Sequence, residues 1–361
     1  MKIAMLVPGL RPHDAVSNDV RGMTAVLRGD GHEVAVFAPH AQGVDEVVRA
    51  PEELSAWLDH RDGVLVYHYC VGWDLALNAM RKTRARRVLR YHNITPPEFF
   101  TDWSPGYVSA CEEGRRQLDD FAALGCDLYL GDSPYNNEDF ISRGIGTERC
   151  EVLAPFHEIE HLLDLPAKSE RIPQGSPLWL AVGRISPNKS YLELVDAFAA
   201  SFPAARGDAP HLLIIGKLDP NLARYGEALQ ARIAAHGLEQ HITILQDANG
   251  AELRAAFEHA TAFVMLSKHE GFCVPLVEAM ALGTPIVALA SSAMPSTIGD
   301  AGIVWDCDEP PLIATTVARI GADAQLRSTL RERGRARFAN TFANPVLGQR
   351  LRLIMQRFAS P

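Results

Sequence analysis

Two carboxylates with seven residues between them, Glu270 and Glu278, punctuate the stretch KHEGFCVPLVEAMALGTP that runs from Lys268 to Pro285. Glu270 falls in a short polar turn, and Glu278 falls one turn into a helix expected to begin at Pro275. Proline suits the first helical position, and the N–H groups of Val274, Leu276 and their neighbours are expected to lack intrahelical acceptors. Such a helix start presents donors at the positive end of the dipole and is a ready anion site. Gly271 lets a ligand approach the backbone closely. Glu278 can then turn toward a vicinal diol, while Glu270 accepts from the hydroxyls of a second group. An anion flanked by two polyols is a nucleotide-sugar. The alternative, that both acids only favour a helix dipole, stays open on these residues alone.

A second constellation lies upstream. An expected strand, Leu178–Val182, runs into GRISPNK, Gly183 to Lys189. Arg184 offers a planar fork for phosphate and Lys189 a mobile point charge. Two cations beside a helix start can clamp a diphosphate and stabilise it as a leaving group. A solvated helix start explains Lys189 by itself; it explains the pair less well.

The elements that must position these groups form two series. In the first, strands are expected at Lys2–Val7, Glu33–Phe37, Gly63–Tyr67, Arg87–His92, Asp127–Gly131 and Glu151–Leu153, with helices near Asp19–Gly29, Pro51–His60, Trp73–Lys82, Gly106–Leu124 and Pro134–Arg143. A polar stretch rich in Pro, Gly and Ser, residues 165–177, reads as a hinge linker. The second series has strands near Leu178–Val182, His211–Ile215, Ile242–Leu245, Ala262–Leu266, Pro285–Ala288 and Ile303–Trp305, and helices near Tyr191–Ala200, Pro220–His236, Gly250–His259, Pro275–Ala281, Pro310–Ile320 and Ala324–Asn340. Continuous apolar strands alternating with helices imply α/β architecture with doubly wound parallel sheets. The expected domains are 1–164 and 178–341, with a cleft at the C-terminal ends of the strands. A last helix, 345–358, either packs back on the first domain or ends the second.

GRISPNKS followed by HEGFCVPLVEAMALGTPIVA resembles the second domain of retaining GT-B glycosyltransferases of the family-4 type, whose signature is a Gly-Arg…Lys pair and an E-x7-E motif. The resemblance is strong over residues 178–305 and looser in the first domain. It implies two Rossmann-like domains facing across a cleft. It also implies transfer of a hexose-type sugar from a nucleotide diphosphate sugar to an acceptor hydroxyl on a glycan, a lipid-linked glycan or a small molecule. Arg184 and Lys189 would bind the diphosphate. Glu270 would contact the sugar hydroxyls with backbone N–H groups of Gly271, Phe272 and Cys273, the donor site continuing through Val274, Pro275 and Leu276. Glu278 would bind the ribose, and the base would lie near Lys217 and the loop Leu245–Asn249.

In the first domain the resemblance places His92, in RYHNITPPEFF, beside the donor sugar and leaving phosphate; a core or capping histidine is the alternative. Asn93 and Thr95 would shape that loop, and Ser133 would cap the following helix. The loop after the first strand reads PGLRPHDAVSNDVRG and keeps Gly9 but lacks the family's Gly-Gly pair. His13, Asp14, Ser17 and Asn18 are expected to reach acceptor or donor instead. The implied mechanism is front-side displacement, the leaving phosphate taking the acceptor proton, without metal or other cofactor. Asp306-Cys307-Asp308 reads as a solvated turn rather than a metal-binding DxD.

Bulk composition bounds the alternatives. Among 361 residues, 44 acidic against 35 basic groups give a formal charge of -9, which argues against nucleic acid as the main partner. Six basic residues between Arg81 and Arg90 read as a solvated face at the N-terminal edge of a sheet, with peripheral membrane contact as the other possibility. The N-terminus lacks a signal peptide's apolar core, and the six cysteines show no metal-ligand spacing, so reduced thiols, mostly core fillers, and a cytoplasmic location are expected. A dehydrogenase would need a G-x-G-x-x-G after a first strand, and neither half supplies one. A nucleotide-sugar 2-epimerase of the same fold and a non-catalytic sugar- or nucleotide-binding protein remain the rival readings.

Overall fold

The computed structural model describes residues 1–12, 14–58, 61–168, 170–173, 177–202 and 209–359. Its backbone divides into two compact units. The first comprises residues 1–97, 108–158 and 343–361; the second comprises 98–107 and 159–342. The division thus falls at 158/159 rather than after 164. Residues 169 and 174–176 of the expected linker lie outside the described residues. Its neighbours are tied to the second unit: Arg171 pairs with Glu252 and Asp247, and Lys168 N–H donates to the carbonyl of Ala251.

Unit 1 is built from β1 (Lys2–Leu6), α1 (Ala15–Gly29), β2 (Glu33–Phe37), β3 (Val48–Arg49), α2 (Leu54–Trp57), β4 (Val64–Tyr69), α3 (Asp74–Lys82), β5 (Arg86–Tyr91), α4 (Pro105–Leu124), β6 (Leu128–Gly131), α5 (Pro134–Ile141) and β7 (Cys150–Val152), α4 straddling the division. All its strands are parallel, in the order β3-β2-β1-β4-β5-β6-β7. Such a sheet, covered on both faces, explains why IAML and VLVY read as unbroken apolar runs. Unit 2 contributes α6 (Ile159–Asp164), β8 (Leu178–Val182), α7 (Tyr191–Ala199), β9 (His211–Ile215), α8 (Ala223–Ala235), β10 (Ile242–Leu245), α9 (Gly250–His259), β11 (Ala262–Met265), α10 (Val274–Leu282), β12 (Ile286–Leu289), α11 (Met294–Ile298), β13 (Gly302–Trp305), α12 (Pro310–Ala322) and α13 (Ala324–Arg337). Its sheet is also wholly parallel, β10-β9-β8-β11-β12-β13. In each sheet the order reverses beside the first strand, at β1/β4 and at β8/β11. These switch points are where open α/β sheets bind ligands.

The last helix, α14 (Asn344–Ala359), lies on unit 1: Leu347, Leu351, Ile354 and Met355 join Val20, Met23 and Leu27 of α1 in one buried cluster. Arg352 pairs with Asp30 and Arg350 with Glu151.

Two expectations of the sequence are corrected. The basic run does not lie outside its strand. Residues 86–90 are the body of β5, and Arg90 is fully buried, while Arg81, Lys82 and Arg84 are exposed. The cysteines are all free: Cys126 and Cys273 are buried, Cys111 and Cys150 pack half-buried against the unit 1 core, and Cys307 is exposed. Helix α1 begins four residues earlier than expected, because Asp14 caps it: its carboxylate accepts from the Ser17 N–H at 2.9 Å and the Ser17 hydroxyl at 2.8 Å. No helix among the described residues is long and apolar enough to cross a membrane.

Candidate functional site

The switch point of unit 2 gathers the turn after β8, residues 183–190, and the turn after β11, residues 266–273. Glycine is required where the β8 and β9 turns meet, since a Cβ on Gly216 would stand 1.8 Å from the Gly183 carbonyl oxygen. Gly183 itself has φ +148, which its lack of a side chain permits. The β8 turn then makes a single turn of 3-10 helix, Pro187–Lys189, and enters α7 through Ser190 at φ 56.

This path brings together two side chains 81 residues apart. Lys189 Nζ donates to Glu270 Oε1 at 2.5 Å, both groups about nine-tenths buried. Burial by itself would lower the Lys189 pKa, but the Glu270 carboxylate outweighs it and the ammonium titrates above its ordinary value. Arg184, by contrast, is exposed and has no hydrogen-bond or ion-pair partner among the described residues. A free guanidinium next to a paired lysine leaves net positive charge at the edge of the sheet.

The β11 turn is held from two sides. Asn188 donates from its amide to the His269 carbonyl at 3.1 Å and accepts the Lys268 N–H at 2.9 Å. From the other side the Glu270 N–H donates to Ser292 Oγ at 2.7 Å, and Ser291 Oγ donates to the Ser267 carbonyl. The turn enters α10 through Cys273, a non-glycine residue in the left-handed region at φ 73. Burial pushes the Cys273 thiol up, the Glu270 carboxylate adding to the effect, so it is an inert group here. Four described residues other than glycine have positive φ: Asn93, Ser190, Cys273 and Ser292. All follow the C-terminal end of a strand, three of them in unit 2 within this group of turns, where strain at functional sites concentrates.

The predicted donor residues divide. Gly271, Val274, Pro275 and Glu278 are half-buried on the turn and first part of α10, whereas Phe272 and Leu276 are buried. The Leu276 N–H was expected to be open to an anion; it instead donates to the Cys273 carbonyl at 3.1 Å, because the left-handed Cys273 folds the chain back on itself. Lys217 is exposed at the end of β9. Gln246 accepts the Leu218 N–H at 3.1 Å, and Asn249 caps α9 in a reciprocal box with Glu252, so the 245–249 loop is largely occupied with its own structure. Beside it lies an apolar pocket of about 640 Å³ lined by Ile185, Leu218, Leu229 and Ile244, with Glu227 and Gln230 on α8. Asp308 of the DCD turn lies 3.6 Å from Lys268, which also pairs with Glu193.

Residues 98–107, which group with unit 2, bring aromatic side chains to these turns. The Phe99 ring lies 6.0 Å from that of His269, Trp103 meets Tyr225 edge-on at 5.1 Å, and Tyr107 donates its hydroxyl to Asp219 at 2.7 Å. That bond, then the Asn221 N–H, holds the Asp219 carboxyl below the usual carboxylate range.

In unit 1 the C-terminal ends of β4, β5 and β6 enclose a different kind of cluster. Arg90 Nε donates to Asp19 Oδ2 at 2.8 Å, and its other nitrogens reach the Leu130 carbonyl at 3.3 Å and Asp132 Oδ1 at 2.8 Å. Asp19 also accepts the Phe156 N–H at 2.9 Å. His92 Nδ1 lies 3.1 Å from Asp132 Oδ2, and its Nε2 lies 3.0 Å from His68 Nδ1. A carboxylate only accepts, so His92 carries a proton on Nδ1, and its Nε2 shares one proton with His68 Nδ1. Burial, then His92, pulls the His68 pKa well below its ordinary value, leaving a neutral ring whose Nε2 has no partner among the described residues. Asp19 shows the opposite balance: burial raises its pKa, but Arg90 and His92 overcome this and hold the carboxyl low.

Asp19, His68 and His92 each bring one potential ligand atom within 4.8 Å of the others. The two imidazoles, however, are within 13° of parallel with centroids 5.3 Å apart. With nitrogens 3.0 Å apart, the rings must meet end to end. Their nitrogens point at each other, the geometry of an N–H···N bond rather than of lone pairs converging on a shared ion.

His92 thus stands at the strand end expected for it, yet its side chain is 4% exposed and both its nitrogens are engaged within unit 1. Of its neighbours, Asn93 donates to Asn136 at 3.1 Å and Thr95 is half-buried. Gly9 lies in the β1 turn; Asp14 and Ser17 cap α1 and Asn18 accepts from Arg21, so these side chains serve the helix start. His13 lies outside the described residues. Ser133 caps α5. Sequence reading missed Asp19, His68, Arg90 and Asp132, whose one signal is a charged or polar residue inside an otherwise apolar strand or helix face, and it missed Ser292, which carries no local signal.

Residues 166–337 match the family model described as "Glycosyl transferases group 1". Among curated proteins, the D-inositol 3-phosphate glycosyltransferase of Jonesia denitrificans is 30% identical over 208 residues, 54% of this chain and 48% of that protein. The chain therefore spans about half the length of this relative. Solved structures extend the likeness to the whole fold. Anabaena HepE, crystallised with UDP and glucose, matches with a TM-score of 0.77 at 17% identity over 99% of both chains. Sucrose-phosphate synthase from Thermosynechococcus elongatus matches with a TM-score of 0.74 at 20% identity over the full length of both. Both sheets and their order are those of the GT-B fold.

Proposed function

We propose that the protein is a glycosyltransferase that moves a hexose-type sugar from a nucleotide diphosphate sugar to an acceptor hydroxyl with retention of configuration. The observation that carries this reading is the pairing of Lys189 with Glu270 at the switch point of unit 2, beside the unpartnered Arg184. A cation already neutralised by a carboxylate and a second cation left open suit a ligand with both hydroxyls and a diphosphate. The family match over this unit and the UDP bound by the Anabaena relative support the same donor class.

In this reading Arg184 and Lys189 receive the diphosphate, Glu270 accepts from sugar hydroxyls and Glu278 from the ribose, with the Gly271 turn close to the ligand. As the bond from the anomeric carbon to the phosphate oxygen breaks, negative charge grows on the diphosphate, and the two cations stabilise it. The acceptor hydroxyl enters on the same face and its proton passes to the departing phosphate oxygen. Charge stabilisation by side chains makes a metal unnecessary for this departure. The engaged nitrogens of His92 favour a supporting role for it over direct contact with the sugar.

Calorimetric binding of UDP, GDP and ADP with their glucose or mannose conjugates, with and without EDTA, tests the reading. Micromolar, EDTA-insensitive binding of one nucleotide is expected, lost in Arg184→Ala. Binding of none at millimolar concentration would remove its support. Release of an altered sugar without any acceptor would identify an epimerase instead.

A further inference from the structure

The turn between β12 and α11 does more than connect two elements. Three consecutive residues in it, Ser291, Ser292 and Ala293, hold the turn that carries Glu270. Ser291 Oγ donates to the Ser267 carbonyl, Ser292 Oγ accepts the Glu270 N–H at 2.7 Å, and the Ala293 N–H donates to the Glu270 carbonyl at 3.3 Å. Glu270 is thus gripped at both its own backbone groups by residues 22 and 23 positions further along the chain. Its carboxylate is fixed by Lys189.

Ser292 sustains this grip in an unfavourable conformation. Its φ of 45 lies in the left-handed region, where a residue with a Cβ is strained and glycine or asparagine is at ease. A serine held there has its use in the hydroxyl. That hydroxyl accepts the Glu270 N–H, and its own proton has no acceptor among the described residues. Ser292 is half-buried.

We propose that Ser292 is a positioning residue for Glu270, and through it a determinant of how tightly the sugar half of a nucleotide diphosphate sugar is held. The inference rests on the donor-site reading given above. The diphosphate is recognised by Arg184 and Lys189 of the β8 turn, which Ser292 does not touch. Loss of the Ser292 hydroxyl therefore leaves the Glu270 N–H without its acceptor and loosens the carboxylate relative to the sugar, while the nucleotide half keeps its partners. A purely structural serine would not separate the two halves.

The test compares each bare nucleotide with its conjugate by calorimetry: UDP with UDP-glucose, GDP with GDP-mannose, ADP with ADP-glucose. The pair that the wild-type protein binds is then measured on Ser292→Gly and Ser292→Asn. Ser292→Gly relieves the left-handed strain, so its thermal midpoint should equal or exceed that of wild type. Its affinity for the bare nucleotide should be unchanged, while its affinity for the conjugate falls roughly tenfold, the scale of a misplaced polar contact. Ser292→Asn tolerates the same backbone and carries a carbonyl oxygen able to accept the Glu270 N–H, so it should recover part of that loss. Equal loss for nucleotide and conjugate, or no loss for either, overturns the role of Ser292 and leaves the donor site standing. If wild type binds none of the six compounds, the donor site and this inference fall together.

Discussion

The two switch points of this protein share a topology and treat their polar groups in opposite ways. In unit 1 the strand ends draw Asp19, His68, Arg90, His92 and Asp132 inward, each buried and bonded mainly to the others. In unit 2 Lys189 and Glu270 also form a buried pair, but Arg184 beside them stands open, and the chain accepts left-handed turns at Ser190, Cys273 and Ser292 in the turns that carry them. Position at a strand's C-terminal end therefore does not by itself make a ligand site. What distinguishes the two is whether the charges are satisfied within the protein or left to be satisfied by something else.

That contrast can be broken most sharply in unit 1. Asp19→Ala leaves the fully buried Arg90 with Asp132 as its remaining carboxylate, and removal of one member of a buried pair typically costs about 3–5 kcal/mol. Urea unfolding should show a loss of that size; a loss under 1 kcal/mol would mean that the cluster is not the satisfied core described here. Arg184→Ala is the counterpart in unit 2. An exposed side chain without partners should change stability by no more than about 0.5 kcal/mol. Its removal should nevertheless lower kcat/KM for the sugar nucleotide about 10²–10³-fold, the usual effect of deleting one group that stabilises developing charge. Activity within twofold of wild type would detach Arg184 from the diphosphate.

The smallest effect separates the units by pH. The His68 pKa in the folded protein lies below its ordinary 6.5, so the unfolded chain binds the proton first as the solution is acidified. Stability from this group is complete above about pH 6.5 and falls by about 1.4 kcal/mol for each unit below it until the folded pKa is reached. Asp19, held low, adds a further loss only at pH near and below its ordinary 3.8. Urea midpoints measured from pH 7 to pH 5 should therefore decline, and His68→Asn should flatten that decline. An unchanged slope in the variant would place the acid sensitivity elsewhere.

Much of the fold was legible because its signals are local. Unbroken apolar strands such as LWLAV and HLLII name a doubly covered parallel sheet, and their alternation with helices names its winding. The GRISPNK and HEGFCVPLVEAM segments likewise carry, in residue type and spacing, the features from which the donor site is proposed. Where the reading went astray, a local feature was claimed by its neighbours. Asp14 and Ser17 resembled ligand-seeking polar residues but cap α1. The Leu276 N–H resembled an open donor but is turned onto Cys273. Arg90 resembled part of a solvated basic run but faces Asp19, 71 residues away in sequence.

The sequence by itself thus determined the strands, the helices and the residue types on which the donor-site proposal rests. Tertiary structure alone decided which charges meet. Lys189 and Glu270 are 81 residues apart, and Ser292 reaches the Glu270 N–H from a different strand end. The physical reason lies in range. Apolar periodicity and capping act over a few residues and leave a mark in the local sequence, whereas an ion pair or a hydrogen bond between turns depends on the strand order that brings β8, β11 and β12 side by side. No spacing rule along the chain encodes that order.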